Sequence, residues 1–148
     1  MNDWKSGLDA YFNEQKGTKE EIKKKKDQAR KQVKKFMKKV VLPAFDALQK
    51  EFTKHKRELQ IDHKKDWAAA LVKKKKRKEF VYEINISTDG EKLMVRKSVY
   101  RPNKNGKLKL GVEGKIRNAD NSLLIHAIKK DDIIKDFLEF YKDATRIK

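Results

Sequence analysis

Between Thr18 and Leu59 the chain carries two apolar stripes at helical spacing, and they do not line up. Ile22, Ala29, Val33, Phe36, Met37 and Val40 recur with the period of one helix face, and Phe45, Leu48, Phe52 and Leu59 make a second stripe. At about 100° per residue, the second stripe lies roughly 100° around the axis from the Val33/Phe36/Val40 set. One straight helix cannot turn both toward a single core. Pro43 stands at the junction, without a backbone donor and disfavouring helical geometry at Leu42. The expectation is two helical pieces, 18–41 and 43–57, kinked or broken at Pro43 and wrapped over a common layer. Thr18-Lys19-Glu20-Glu21 has the form of a capping box and would start the first piece. Upstream, Trp4, Leu8, Tyr11 and Phe12 sit at i, i+4, i+7 and i+8, a short amphipathic helix over 1–16 ended by Gly17. Such a stripe is expected to pack on the core.

The layer follows from a change of period. Leu59, Ile61 and His63 alternate with polar residues, and Trp67 to Val72 reads as a second strand. Phe80, Tyr82, Ile84 and Ile86 alternate with Val81, Glu83 and Asn85 as a half-buried strand. Asp89-Gly90 marks a turn before Leu93, Val95 and Val99; Pro102 to Gly106 marks another before Leu108, Leu110, Val112 and Ile116. Lys97 interrupts one apolar face and Gly111 and Gly114 punctuate the last strand, which edge exposure or bulges would explain. Leu123 to Ile128 suggests a further short strand. A final helix over 130–146 opens with Asp131 and Asp132 in its first turn, with Ile133, Ile134, Phe137, Leu138, Tyr141 and Ala144 on its apolar side. The predicted class is α+β: an antiparallel meander of about 4–6 strands, one face covered by the long kinked N-terminal helical segment and the C-terminal helix, in a single domain over 1–148. The other face would leave Glu83, Arg96, Tyr100, Lys109, Glu113, Lys115 and Arg117 open to water.

Charge then decides what such a domain would meet. The net charge is +18 with 42% charged residues, enough to raise disorder as an alternative, but the patterned apolar residues argue for a folded chain. The excess is lopsided: residues 1–78 hold 25 Lys/Arg against 11 acids, residues 79–148 only 15 against 11. A polyanionic partner is the expectation, nucleic acid first. The bases are 33 Lys and 7 Arg, a balance that suits attraction to phosphates rather than readout of base edges. Candidate polyanion contacts are Lys23, Lys24, Lys25, Lys26, Arg30, Lys31, Lys34, Lys35 and Lys38 on the helix. The run Lys73, Lys74, Lys75, Lys76, Arg77 and Lys78 joins them from a predicted loop. The alternative is a protein-interaction or accessory domain, docking through the open sheet face or the Trp4/Tyr11/Phe12 helix, with lysines serving solubility. A membrane surface is disfavoured, because the sheet needs the Val33/Phe36/Val40 stripe for its own cover.

The order of helix, strands and helix is similar to the double-stranded-RNA-binding domain in outline alone. Lys129 and Lys130 occupy a place similar to that domain's lysines, but Asp131 and Asp132 follow at once and would repel a phosphate, so no residue is carried across.

Catalytic and cofactor signals are weak. With no cysteine, thiol chemistry and thiolate metal sites are excluded. His55, His63 and His126 have no metal-ligand spacing, and no glycine loop for phosphates and no nucleophile elbow is found. A metal-independent nuclease could use His63, Glu83, Arg96 and Tyr100, without a motif to support it. The expectation is a non-catalytic, cofactor-free, cytoplasmic domain with no secretory leader or membrane span.

Overall fold

The fold is that of a computed structural model, which describes residues 4–89, 92–116 and 125–146. Helix α1 runs unbroken from Trp4 to Phe36. It passes through Gly17 and Thr18, correcting the expected stop and capping box there. The Thr18 hydroxyl donates 3.0 Å back to the Glu14 carbonyl, an interior helical bond rather than a cap. One glycine costs about 1 kcal/mol against alanine, too little to stop a helix flanked by Lys, Glu and Gln on both sides. The chain divides into two compact units, one ending at Gln32 and the other beginning at Val33. In the first, the aromatic stripe is exposed rather than packed on a core, with Trp4 67%, Tyr11 53% and Phe12 60% accessible.

In the second unit, the helical path continues past Phe36 through one wide π turn, Met37–Val41, into α2, Leu42–Lys54. Leu42 N–H donates to the Met37 carbonyl, five residues back. A π turn adds one residue to the helical round, which is about 100° of rotation, the offset between the two stripes. Pro43 lies just past the wide turn, in the first turn of α2. The sheet is therefore covered by Phe36, Met37, Val41, Ala44, Phe45, Leu48 and Phe52. Val41 rather than Val40 is fully buried, because the wide turn moves the stripe.

Five strands follow as an antiparallel meander in the order β1-β2-β3-β4-β5: Glu58–His63, Trp67–Lys74, Arg77–Asp89, Lys92–Pro102 and Leu108–Lys115. One face is the core face. Leu59, Ala68, Ala70, Val72, Phe80, Tyr82, Ile84, Val95 and Val99 are all nearly inaccessible. The exposed edge of β1 is capped in part by α2, whose Gln49 amide donates 2.8 Å to the Leu59 carbonyl. The β4–β5 turn closes on Asn103, whose side-chain oxygen accepts from the N–H groups of Asn105 and Lys107, with Gly106 at φ +78°. Gly90 lies outside the described residues, as do Arg117, Leu123 and Leu124. Ile125–Ala127 forms a 3-10 turn, not the strand expected there.

Two bulges redirect side chains. Val72 pairs with Phe80 but Lys73 with Lys78, leaving Glu79 unpaired on β3. Val99 pairs with Val112 but Tyr100 with Leu110, leaving Gly111 unpaired on β5. Beyond Gly111 the faces swap. Lys109, expected on the open face, lies on the helix side, and Leu110, expected in the core, is on the open face at 46% exposure.

Helix α3, Lys130–Thr145, starts where Asp132 accepts the Lys129 N–H at 2.8 Å. Its Phe137 is fully buried and meets Phe52, Phe80 and Tyr82 edge-on at centroid separations of 5.7, 5.2 and 5.2 Å. Polar contacts flank this aromatic seat. Asp136 accepts from Lys97 Nζ and Tyr82 Oη, each at 2.6 Å, and Lys97 lies 4.2 Å over the Phe140 ring. Lys97 thus points inward from an interior strand to a partner, and neither edge exposure nor a bulge accounts for it. Glu79, turned by its bulge, accepts the Tyr141 hydroxyl and faces Arg57; Arg101 bonds Asp143 at 2.7 Å.

Lys97→Ala should leave the Asp136 carboxylate facing the core without its cation. A drop of about 3 kcal/mol in urea unfolding is expected, with Lys97→Met/Asp136→Leu recovering most of it. A neutral Lys97→Ala would mean the pair does not hold α3. Burial raises the Tyr82 phenol, helped by the charge and hydrogen bond of Asp136. Burial, then the Glu79 hydrogen bond, raises Tyr141 to about 12. Both phenols stay protonated in the fold after the unfolded chain has begun to ionise. Stability should therefore fall as pH rises from about 10 toward 12. Phenolate absorbance should appear later in the native protein than in urea, and Tyr141→Phe should remove part of the lag.

Candidate polyanion interface

The hairpin joining β2 to β3 carries the run 73–78, and it is shorter than the loop the sequence suggests. Core burial fixes the Val72–Phe80 pair, so the chain must reverse in the residues between. Lys73 and Lys74 continue β2, Arg77 and Lys78 begin β3, and only Lys75 and Lys76 turn. Both have positive φ, +49° and +71°. This is the arrangement that matches strand twist in a two-residue hairpin, and it is normally filled by Asn-Gly. A side chain held there costs of order 1 kcal/mol.

The register adds repulsion to this strain. Lys73 stands directly across from Lys78, and Lys74 from Arg77. Glu58 opposes Lys73 from the β1 side. Among the described residues, none of the six cations forms an ion pair: the short pairs are Lys54–Glu51, Arg57–Glu79, Lys97–Asp136 and Arg101–Asp143. Lys74 to Lys78 are exposed and Lys73 is half-buried.

The helical candidates divide between the units. Lys23, Lys24, Lys25, Lys26, Arg30 and Lys31 belong to the unit ending at Gln32, and all are exposed. Four consecutive lysines at 100° steps put cations on nearly every side of α1 there, not on one face. Lys34, Lys35 and Lys38 belong to the unit beginning at Val33 and are likewise exposed.

Comparison with protein-family models, characterised proteins and solved structures found no match.

The residues weighed for a nuclease are not brought together. Glu83, Arg96 and Tyr100 share the open face by register, whereas His63 is on the helix-side face of β1. Burial, then the charges of Glu83 and Glu113, raises the Tyr100 phenol, which keeps it protonated. Among the described residues, no three His, Asp or Glu side chains could hold a metal ion, and no helix is long and apolar enough to cross a membrane. A groove between α2 and β1, lined by Gln49, Lys50, Lys54, Leu59 and Gln60, is wide open and of mixed polarity.

Sequence alone hid the tight turn, because six consecutive lysines and arginines carry no turn signal. The apolar registers on either side were the available clue. Lys75→Asn/Lys76→Gly should relieve the backbone strain and raise stability by about 1–2 kcal/mol, read as a higher thermal midpoint. An unchanged or lower midpoint would mean the turn is not strained.

Proposed function

We propose that this chain is a non-catalytic basic domain that binds a polyanion, nucleic acid, without reading its sequence. The observation that carries this is the hairpin tip, where six successive cations flank and form a turn strained at Lys75 and Lys76, like charges face each other, and among the described residues no ion pair compensates them. A row of phosphates would supply the missing counter-charge. Lysine point charges suit such contacts, and a single Arg77 in the run offers little base-edge recognition. The exposed cations of α1 add long-range attraction.

Binding to a fluorescent DNA or RNA oligonucleotide should weaken about a thousandfold between 50 and 200 mM salt if six or so phosphates are neutralised. A flat salt response, or no binding at low salt, would sink the proposal.

A second reading is favoured by one observation, the exposed stripe of Trp4, Leu8, Tyr11 and Phe12. Four large apolar side chains on one face of a polar helix suit docking to a protein partner, with the lysines serving solubility. Reversing the charges of residues 73–78 separates the two: polyanion binding should collapse, whereas docking through the aromatic stripe should survive.

A further inference from the structure

We infer that the polyanion is a B-form DNA duplex, and that the β2–β3 hairpin tip enters its major groove and meets phosphates of both strands. This rests on the polyanion reading above and adds the form of the ligand. The argument comes from where the bulge sends each cation. With Glu79 unpaired, Lys73 and Lys78 share the open-sheet side of the ribbon, while Lys74 and Arg77 share the helix side. Lys75 and Lys76 form the tip between them. The ribbon therefore carries cations on both faces and at its end. The same bulge turns the one nearby acid on β3, Glu79, toward Tyr141 and Arg57, and Glu58 of β1 stands across from Lys73 alone, so residues 74–78 face no strand-paired carboxylate.

A flat anionic surface or a single strand would meet one face of such a ribbon and leave the other face's charges unanswered. A single strand is also held largely by aromatic stacking, and residues 73–78 contain no aromatic side chain. Two rows of phosphate with a gap between them answer both faces at once. The major groove of B-form DNA, about 12 Å wide, admits a two-stranded β-ribbon, whereas that of A-form RNA is too deep and narrow for side chains to reach into. Residues 73–78 hold no Asn, Gln, Asp or Glu to read adenine or cytosine edges, so the hold is mainly on the phosphates of the groove walls.

The test compares a 16-base-pair DNA duplex, the RNA duplex of the same sequence and the DNA single strand by fluorescence anisotropy at one low salt concentration. The full chain is used as wild type, Lys74→Gln/Arg77→Gln and Lys73→Gln/Lys78→Gln. The DNA duplex should bind at least about tenfold tighter than the other two. Each double substitution should weaken that binding and lower the logarithmic salt slope by about 2, one unit for each phosphate no longer neutralised. Wild-type protein should displace methyl green, which occupies the major groove, and leave a minor-groove dye in place. Equal affinity for all three nucleic acids, an effect from only one face of the ribbon, or release of the minor-groove dye instead would overturn the groove inference and leave the polyanion reading standing. No binding to any of them would remove that reading, and the inference with it. The ligand comparison and the dye competition need only the wild-type chain, so the test holds even if a variant fails to fold.

Discussion

Phe137 is the point at which the early and late parts of the chain share one core. Its ring is buried against Phe52 of α2 and against Phe80 and Tyr82 of β3. Edge-on contacts of this kind contribute beyond the area they bury, and they fix angle as well as distance. The polar contacts of α3 then select one position along the sheet. Asp136 can reach Lys97 and Tyr82 together, and Asp143 can reach Arg101, only when α3 lies across β3 and β4 in this register. A buried charge pair adds little net stability over apolar replacements. What it supplies here is discrimination against a slipped helix, since any other register leaves a carboxylate facing apolar side chains.

That seat has a consequence at the far end of β3. Phe80 is held by Phe137 and Tyr141, and Val72 is its cross-strand neighbour, so the strands reach the hairpin with their register already decided. The chain must then reverse within residues 73–79, and it does so with one bulge and a two-residue turn. Glu79 is the residue left over, and the bulge that absorbs it aims its carboxylate at Tyr141. Core packing thus sets where the hairpin begins, and the bulge at Glu79 then sets which face each cation at the tip takes.

Much of this architecture was legible because burial imposes periods. The alternation from Phe80 to Ile86, the later strands, and the i, i+3, i+4 pattern from Ile133 to Tyr141 each mark a face against the core. The 100° offset around Pro43 signalled a kink or break, and the structure meets it instead with a continuous π turn at Met37–Val41. What the sequence did not disclose were single-residue events. A bulge at Glu79 or Gly111 inserts one residue without altering composition, yet it exchanges the faces of Lys109 and Leu110. Lys97 read as a defect because its partner, Asp136, lies 39 residues away on another element. Gly17 read as a stop because a local signal was weighed without the strong helix formers on either side. For the candidate interface, the residue types were visible, but the left-handed turn and the division of cations between two faces came only from the paired strands.

The solubility reading of the lysines accounts for some positions and not for others. Lysines on an exposed helix are favourable by propensity and need no partner, so those of α1 fit either role. Lys75 and Lys76 are different. Asn and Gly would be equally soluble there, would fit positive φ without strain, and would leave fewer like charges in the hairpin. The cross-strand pairs point the same way, since an acid at Lys78 or Arg77 would have turned repulsion into attraction. Backbone strain at Lys75 and Lys76 and charge repulsion across Lys73–Lys78 and Lys74–Arg77 are independent penalties, and they fall side by side in one hairpin. On the proposed polyanion reading, those two penalties are what a row of phosphates would offset, by answering charges that solubility alone does not require.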